Sequence, residues 1–287
     1  MSESLNVLTL NMLHKEFMLE DRVQRIAQQI NALDIDILML QEVPCDKNGV
    51  SETLEYLVNN TALSVAAFNH HFVHKNYDSG SAILSKFPVI EGGKTLSPDD
   101  EGKHHYDSCY AVVDTPARPV ILFSIHSAWG GANESYRERQ VVFLDKHAQE
   151  LETKYSERDP ITVLGGDMNA EPENSCIRFL TGKGSINTSG TLWVDSWKYL
   201  HPQDAGYTVI PANKLATKTA LEVGLLRPEL LPSRRIDYLM VRGWVYGAAG
   251  CPLSSKLVMQ EEDENGYSPS DHFGILTTLW NPDTFSA

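Results

Sequence analysis

The sequence predicts an α/β fold, and three observations lead to this interpretation. The chain opens with an apolar run at 5–11, continues with apolar residues at helical spacing over 17–33, and returns to an apolar run at 35–43. Four short β-like runs then follow in succession, which indicates antiparallel pairing. The composition, 42% hydrophobic and 22% charged over 287 residues, is that of an ordinary globular enzyme. We therefore expect one α/β domain that spans residues 1–287.

The elements of the first half can be assigned in order. LNVLTLN (5–11) predicts a buried strand, and the segment 17–33 predicts the helix that follows it. The residues with helical spacing are Val23, Ile26, Ile30 and Leu33. IDILMLQEV (35–43) predicts a second strand and SETLEYLVNN (51–60) a second helix. The four β-like runs are AAFNHHFVH, SAILSKFPVIE, YAVVDT and PVILFSIH.

The second half begins with a long helix predicted over roughly 134–155, which leads into the strand ITVLGGDMN. RIDYLMV and FGILTTLW are the last predicted strands. The segment 200–234 is rich in proline and glycine and lacks periodicity, so we expect a long surface loop there. We expect substrate specificity to depend on loops, chiefly 92–108 and 186–234.

The charge balance limits the possible partners. A formal net charge of −14 argues against a tight, non-specific polyanion binder, because such a binder needs basic surface. It leaves room for a nuclease that holds its substrate at a few local contacts through a divalent cation. No apolar run approaches the roughly 18 residues that span a bilayer. We therefore expect no membrane insertion, and no obligate protein partner is evident.

The four cysteines indicate the compartment. Cys45, Cys109, Cys176 and Cys251 lie far apart without a CxxC pair, so we interpret them as reduced and structural. No signal peptide is recognisable at the N-terminus. We therefore expect a cytoplasmic protein.

Polar residues stand at the ends of several predicted strands. They are Asn11, Glu42, His126, Asp167 with Asn169, Asp237 inside RIDYLMV, and Asp271 with His272 before the last strand. Each has an ordinary structural interpretation, such as a turn residue, a solvated charge or a hydrogen-bonded core histidine. Strand ends of an α/β sheet, however, meet at one crevice. Carboxylates gathered there would repel one another unless a cation neutralised them. Oxygen ligands without thiolates select Mg²⁺ or Mn²⁺, so the set predicts metal-assisted phosphoester hydrolysis.

The motifs then extend the interpretation, because they resemble the endonuclease/exonuclease/phosphatase superfamily with its DNase I-like fold. The matching segments, in chain order, are TLNML, LMLQEV, SGSAILSKFPV, FSIHSAWG, YRERQ, GGDMNAEP, RRIDYLMV and SPSDHFG. The resemblance implies a four-layer α/β/β/α sandwich of two mixed sheets packed face to face, with the active site at one end.

The resemblance also implies roles for individual residues. Glu42 would be the principal metal ligand, with Asn11 and Asp271 beside it, directly or through water. Asp167 would orient or deprotonate the attacking water and bind a second metal if one is present, and Asn169 would hold that site and a phosphate oxygen. His272 would contact the phosphoryl group, with Asp237 fixing its ring. His126 would donate to a phosphate oxygen or protonate the leaving group, and which histidine is acid and which is base stays open.

Some residues at the edge of these motifs have two interpretations. Arg139 is a candidate for a phosphate contact or a surface charge on its helix, and Trp129 for substrate stacking or cover of the sheet edge. Asp78 is a candidate to orient His126 or a turn residue. HSAWGG stands where DNA-repair members of the family carry an asparagine-containing loop with a tyrosine, which points away from abasic-site repair enzymes.

Several functions stay open within this frame. The first is a Mg²⁺-dependent phosphodiesterase or phosphomonoesterase, and the second a DNA or RNA nuclease. A sphingomyelinase-like lipid phosphodiesterase is a third. The last is a catalytically silent binding module, which we disfavour because all the costly polar residues are retained.

Overall fold

The strands form two six-stranded sheets. Both faces of each sheet are largely buried, so successive residues of a strand point into apolar layers on opposite sides. The computed structural model describes residues 4–14, 17–74, 77–95, 108–224, 227 and 230–283, and the side chains of 71–74 and 77 are not described. Within these ranges, no helix combines the length and the apolar character needed to cross a membrane.

The first sheet has the order β11-β12-β1-β2-β4-β3. Its strands are β1 (Ser4–Asn11), β2 (Ile37–Cys45), β3 (Ser64–His74), β4 (Tyr77–Ser85), β11 (Pro252–Val258) and β12 (Gly274–Trp280). Strands β1 and β2 are parallel, and the other pairs are antiparallel. The sheet is therefore mixed.

The second sheet has the order β5-β6-β7-β8-β10-β9. Its strands are β5 (Val89–Thr95), β6 (Ser108–Asp114), β7 (Pro119–His126), β8 (Ile161–Asp167), β9 (Trp193–Asp195) and β10 (Asp237–Arg242). Strands β7 and β8 are its parallel pair. Each sheet thus has a central parallel pair, and the carboxyl ends of both pairs carry the polar residues named above.

Six α-helices occur among the described residues. They are α1 (Leu19–Ala32), α2 (Glu52–Asn60), α3 (Glu134–Lys154), α4 (Ser175–Leu180), α5 (Ser196–Leu200) and α6 (Lys214–Glu222). Helix α2 begins where the Ser51 hydroxyl accepts from the Leu54 N–H at 3.2 Å, an ordinary N-cap.

The core divides into three apolar layers. The middle layer combines residues of both sheets, such as Val7 and Met39 with Leu122 and Leu239. A second layer joins the outer face of the first sheet to α1 and α2, and a third joins the outer face of the second sheet to α3 and α4. The predicted four-layer α/β/β/α sandwich is confirmed.

Gly165 allows the two sheets to approach closely near the site. A Cβ at this position would lie 2.3 Å from Met39 Cε and 3.0 Å from Thr9 Cβ, both on the opposite sheet. The paired glycines of GGDMN therefore serve sheet packing as well as the turn that follows.

The structure also corrects the sequence-based elements in places. SAILSKFPVIE is not one strand, because Pro88 separates β4 of the first sheet from β5 of the second. The segment 200–234, predicted as a loop, contains helix α6, and four other elements, α4, β9, α5 and β11, were not predicted. Part of the expected specificity loop 92–108, residues 96–107, lies outside the described residues.

Candidate active site

The site begins with three strand ends of the second sheet that lie side by side. His126 at the end of β7 pairs with Asp167 at the end of β8, which in turn pairs with Asp237 at the start of β10. All three continue the alternation that places Leu122 and Leu239 in the middle layer, so their side chains face the first sheet. The strand period and the register therefore bring these residues together at one end of the sandwich.

Asn11 connects this group to the first sheet. Its Nδ2 donates to Glu42 Oε1 at 3.2 Å and to Asp167 Oδ2 at 3.1 Å. Its Oδ1 accepts from the Leu13 N–H at 3.0 Å, which fixes the orientation of the amide. Asn11 thus holds carboxylates from both sheets at a defined separation.

Glu42 reaches the site because β2 contains a bulge. Leu40 pairs with Ala82 and Val43 with Gly80, so two residues of β2, Gln41 and Glu42, oppose one residue of β4. Glu42 has a φ of 54°, in the left-handed region. Gln41 Nε2 donates to Ser124 Oγ of the facing sheet at 3.0 Å. Because of the bulge, two consecutive side chains lie at the site end of the sheet. Gln41 contacts the facing sheet, and Glu42 supplies a carboxylate.

His14 is the direct partner of Glu42. Its Nδ1 contacts Glu42 Oε2, and its backbone N–H donates to the same oxygen at 3.2 Å. Burial by itself would raise the pKa of Glu42, but the nearby His14 and His126 and the hydrogen bond from Asn11 hold it well below its usual value. Glu42 is therefore an anion in the folded chain.

His272 forms a dyad with Asp237. The ring Nδ1 lies 2.9 Å from Asp237 Oδ2, and Nε2 lies 4.0 Å from Asp167 Oδ2. Burial by itself would lower the pKa of His272, but Asp237, Asp271 and Asp167 raise it well above the usual value. A cationic ring held in this way is suited to donate from Nε2 toward a negatively charged group.

Thr208 completes the dyad, although it was not among the residues predicted from the sequence. Its hydroxyl donates to Asp237 Oδ2 at 2.5 Å, and its backbone carbonyl accepts from the Phe273 N–H at 2.8 Å. Thr208 thus ties the dyad carboxylate to the segment that carries His272. It lies in the proline- and glycine-rich segment, where no periodicity marks a buried position.

The negative charge of Asp167 is offset less completely than the charges of its neighbours. Burial, together with the adjacent Asp237 charge, raises the pKa of Asp167 above its usual value. His126 Nε2 lies 3.7 Å from Asp167 Oδ2 and 3.8 Å from Glu42 Oε1, too far for a direct hydrogen bond to either. The His126 ring therefore lies beside both carboxylates at ion-pair distance.

Asn169 follows Asp167 in a tight turn. Its φ is 47°, its N–H donates to Asp167 Oδ1 at 2.8 Å, and its Nδ2 donates to the Ser127 carbonyl at 3.0 Å. The turn interpretation of GGDMN is thus correct in its geometry. The same turn keeps Asn169 beside the strand end that carries His126.

The remaining predicted residues lie at the rim. Asp271 is half-buried and accepts from Thr219 Oγ1 of α6 at 3.1 Å. Trp129 is 62% exposed on the loop after β7, and the Arg139 guanidinium lies 4.6 Å from the Tyr136 ring centroid. Asp78 is buried and pairs with Cys45 in the β2–β4 register. The proposed roles of these four stay predictions.

Two buried arginines fix the loops around the site. Arg22 of α1 donates to the carbonyls of Met12 (2.7 Å) and Leu13 (3.1 Å) on the β1 side and to Pro269 (3.2 Å) before Asp271. Arg137 of YRERQ donates to the Ala128 carbonyl at 2.8 Å and to Gly130 at 2.9 Å. Arg137 thus holds the HSAWGG loop, while the phosphate contact predicted for Arg139 in the same motif stays a prediction.

The donor set fits a divalent cation. Atoms of Asp167, Asp237 and His272 lie within 4.8 Å of one another, and because the His272 ring is held cationic by Asp237, the carboxylates are the candidate ligands of this group. Glu42 adds an ionised carboxylate across from them. Buried carboxylates this close repel one another, and burial together with the adjacent Asp237 raises the pKa of Asp167, so a bound cation would stabilise its ionised form.

The fold and this site define the class of protein. The sequence pattern of the endonuclease/exonuclease/phosphatase family matches residues 8–272, and the chain belongs to that family. Its enzymes are phosphoesterases and nucleases, and the predicted family assignment is confirmed.

Several solved structures share the fold. The human Nocturnin catalytic domain with bound sulfate superposes with a TM-score of 0.70 at 15% identity, covering 97% of this chain and 95% of the other. TDP2 of D. rerio complexed with single strand DNA product gives 0.68 at 18% identity, covering 97% and 99%. A family protein from Leptotrichia buccalis gives 0.65 at 16% identity, covering 96% and 99%. A comparison with curated protein sequences found no match.

Proposed function

We propose that the protein is a metal-dependent phosphoesterase that hydrolyses its substrate by attack of an activated water. One observation carries the proposal: Asn11 bridges the carboxylates of Glu42 and Asp167, and the His272–Asp237 dyad lies beside the same Asp167 carboxylate. Carboxylates on both sides of a cleft and a positioned imidazolium form the arrangement that phosphoester hydrolysis requires.

The position of each residue indicates its proposed role. Glu42 would hold Mg²⁺ or Mn²⁺, with Asn11 and Asp271 beside it. Bound there, the cation neutralises charge on the phosphoryl oxygens. Asp167 orients the attacking water or accepts its proton, and its raised pKa is closer to neutral pH than that of an ordinary aspartate.

The histidines act on the phosphoryl group from the other side. His272, kept cationic by Asp237, donates from Nε2 to a phosphoryl oxygen, and Asn169 holds another. His126 donates to a phosphate oxygen or protonates the leaving group. Trp129 and Arg139 are the proposed contacts to the rest of the substrate.

A nucleic acid is the second candidate substrate. D. rerio TDP2, which shares the fold, has been seen with a single strand DNA product. The net charge of −14 opposes a long polyanion, so we place the phosphoester of a small or locally bound substrate first.

The test is hydrolysis of a small panel with Mg²⁺, with Mn²⁺ and with EDTA. The panel contains bis-p-nitrophenyl phosphate, p-nitrophenyl phosphate, single-stranded and plasmid DNA, and a sphingomyelin or phosphoinositide head-group substrate. Metal-dependent hydrolysis that His272→Ala loses would establish the chemistry, and the preferred substrate would choose among the candidates. Glu42→Gln should shift the metal activation midpoint to higher concentration.

Absence of turnover on the whole panel, together with no metal binding by the folded protein, would overturn the proposal in favour of a binding module. Equal turnover by wild type and His272→Ala would remove the dyad from the mechanism.

A further inference from the structure

His14 brings a nitrogen atom directly to the proposed metal carboxylate. It stands three residues after Asn11, where the chain has left β1, and its Nδ1 contacts Glu42 Oε2. The other oxygen of the same carboxylate, Oε1, faces Asn11 and His126. Glu42 therefore has one oxygen toward the centre of the cleft and the other toward His14.

The backbone holds His14 in this place. Leu13 has a φ of 57°, and its N–H donates to Asn11 Oδ1 at 3.0 Å, so the chain turns back toward the site at the end of β1. The His14 N–H then donates to Glu42 Oε2 at 3.2 Å. Arg22, only 1% exposed, donates to the carbonyls of Met12 and Leu13 and anchors the turn from behind.

The position of His14 is also screened from bulk water. The side chain is 16% exposed and that of Glu42 is 18% exposed. A half-buried imidazole fixed beside an ionised carboxylate matches the carboxylate–imidazole pairs that bind transition metals. Oxygen donors alone favour Mg²⁺, whereas an imidazole nitrogen adds affinity for the later divalent metals.

We infer that His14 is a ligand of the cation held at Glu42 and shifts the site from Mg²⁺ toward Mn²⁺ and other nitrogen-accepting metals. The inference rests on the proposed metal-dependent function. Ligation would use the Nδ1 lone pair of a neutral ring, so the proton that Nδ1 shares with Glu42 Oε2 would move to Nε2 or be released to solvent when the cation binds.

The test is Mn²⁺ binding to the full chain, followed by electron paramagnetic resonance without substrate. Titration gives the dissociation constant, competition with Mg²⁺ gives the selectivity, and pulsed measurements detect nitrogen bonded to Mn²⁺. Two variants separate ligation from positioning. His14→Ala removes the ring, whereas His14→Asn keeps an amide N–H near the Nδ1 position that can still donate to Glu42 but has no imidazole nitrogen to give to the metal.

For wild type we expect nitrogen coupling to bound Mn²⁺. Both variants should lose the His14 contribution to that coupling and bind Mn²⁺ about tenfold or more weakly, with a smaller loss for Mg²⁺. His147→Asn is the matched control. His147 lies on α3, away from the site, and packs against Tyr110 and Phe123. It should leave the metal constants unchanged. Circular dichroism of each variant confirms the fold.

The outcomes separate this inference from the proposed function. If His14→Asn binds both metals as wild type does, with the same nitrogen coupling, His14 only positions Glu42 and the inference is overturned. If wild type and Glu42→Gln bind Mn²⁺ equally, or neither binds it, the metal is not held at Glu42 and the proposed function fails with it.

Discussion

Two buried carboxylate clusters at opposite ends of β10 differ in how completely the fold satisfies them. At the start of the strand, Asp237 lies beside Asp167 in the candidate active site. At its end, Arg242 Nε donates to Asp145 Oδ1 at 3.0 Å. The two aspartates Asp145 and Asp167 are equally buried, at 4% and 2% exposed.

The distal carboxylate has a full set of donors. Asp145 accepts from Thr191 Oγ1 at 2.6 Å, Trp193 Nε1 at 2.8 Å and Gln149 Nε2 at 2.8 Å in addition to Arg242. Burial would raise the pKa of Asp145, but these hydrogen bonds and the Arg242 charge lower it below the usual value. The pKa of Asp167 moves in the opposite direction. The comparison teaches that the fold offsets the charge of Asp145 more completely than that of Asp167, which is the carboxylate proposed to act in the reaction.

The largest expected difference between the clusters is in turnover. Asp167→Ala and His272→Ala should each lower kcat by about 10²–10⁴-fold, because the proposed mechanism has both groups act on the reacting atoms. Asp145→Asn should leave the kcat of the folded protein near wild type. Steady-state kinetics at saturating metal measures all three variants. A comparable loss in Asp145→Asn would break the comparison.

Stability should show the reverse order. Asp145→Ala should lower the free energy of unfolding by about 3 kcal/mol, because Arg242 then loses a buried partner. Asp167→Asn, measured in EDTA, should leave that free energy unchanged or raise it, since it removes an uncompensated charge. Urea denaturation followed by circular dichroism compares them. Equal destabilisation would show that both carboxylates serve the fold.

A smaller effect is expected at Thr208, whose hydroxyl orients Asp237. Thr208→Val keeps the shape and removes the donor, so kcat should fall about tenfold to a hundredfold, as expected for one hydrogen bond to a charged group. Thr162→Val is the matched control, because the buried Thr162 hydroxyl has no hydrogen-bond partner among the described residues. Its kcat and stability should stay close to wild type. If the two variants behave alike, Thr208 does not position the dyad.

The smallest effect concerns acid stability. The folded pKa of Asp145 lies below the ordinary value of 3.8, so its contribution is complete above that value and is lost as pH falls through the folded pKa. Wild type should therefore lose stability below about pH 4 more steeply than Asp145→Asn, by at most about 1.4 kcal/mol per pH unit. Urea midpoints between pH 3 and pH 6 in EDTA measure the slopes. Parallel slopes would contradict the assignment.

Much of the site could be predicted because the ends of buried strands can be recognised in a sequence. Asp167 and His126 end short, nearly continuous apolar runs, and the sheet order makes them neighbours. Glu42 was found for the same reason, although its orientation depends on a bulge that the run ILMLQEV does not reveal.

The site residues that were not predicted lie in segments whose apolar residues show no helical or strand period. Thr208 belongs to an irregular segment, and its burial follows only from the return of that segment to β10 and Phe273. His14 follows a left-handed turn at Leu13, which apolar patterning cannot forecast. Helices α4 and α5 have six and five residues, too few for a helical pattern to stand out.

The pairing of β12 with β1 has a consequence for how the protein folds. Thr9 pairs with Ile275, and Ser270 Oγ donates to the Asn11 carbonyl across 259 residues of sequence. Contacts of such separation form slowly, because the entropy of closing the loop is lost before they contribute stability. The cleft therefore exists only after both ends of the described chain have met. Partly folded intermediates built from the central strands would be catalytically silent, and recovery of hydrolysis would report the closure of the first sheet.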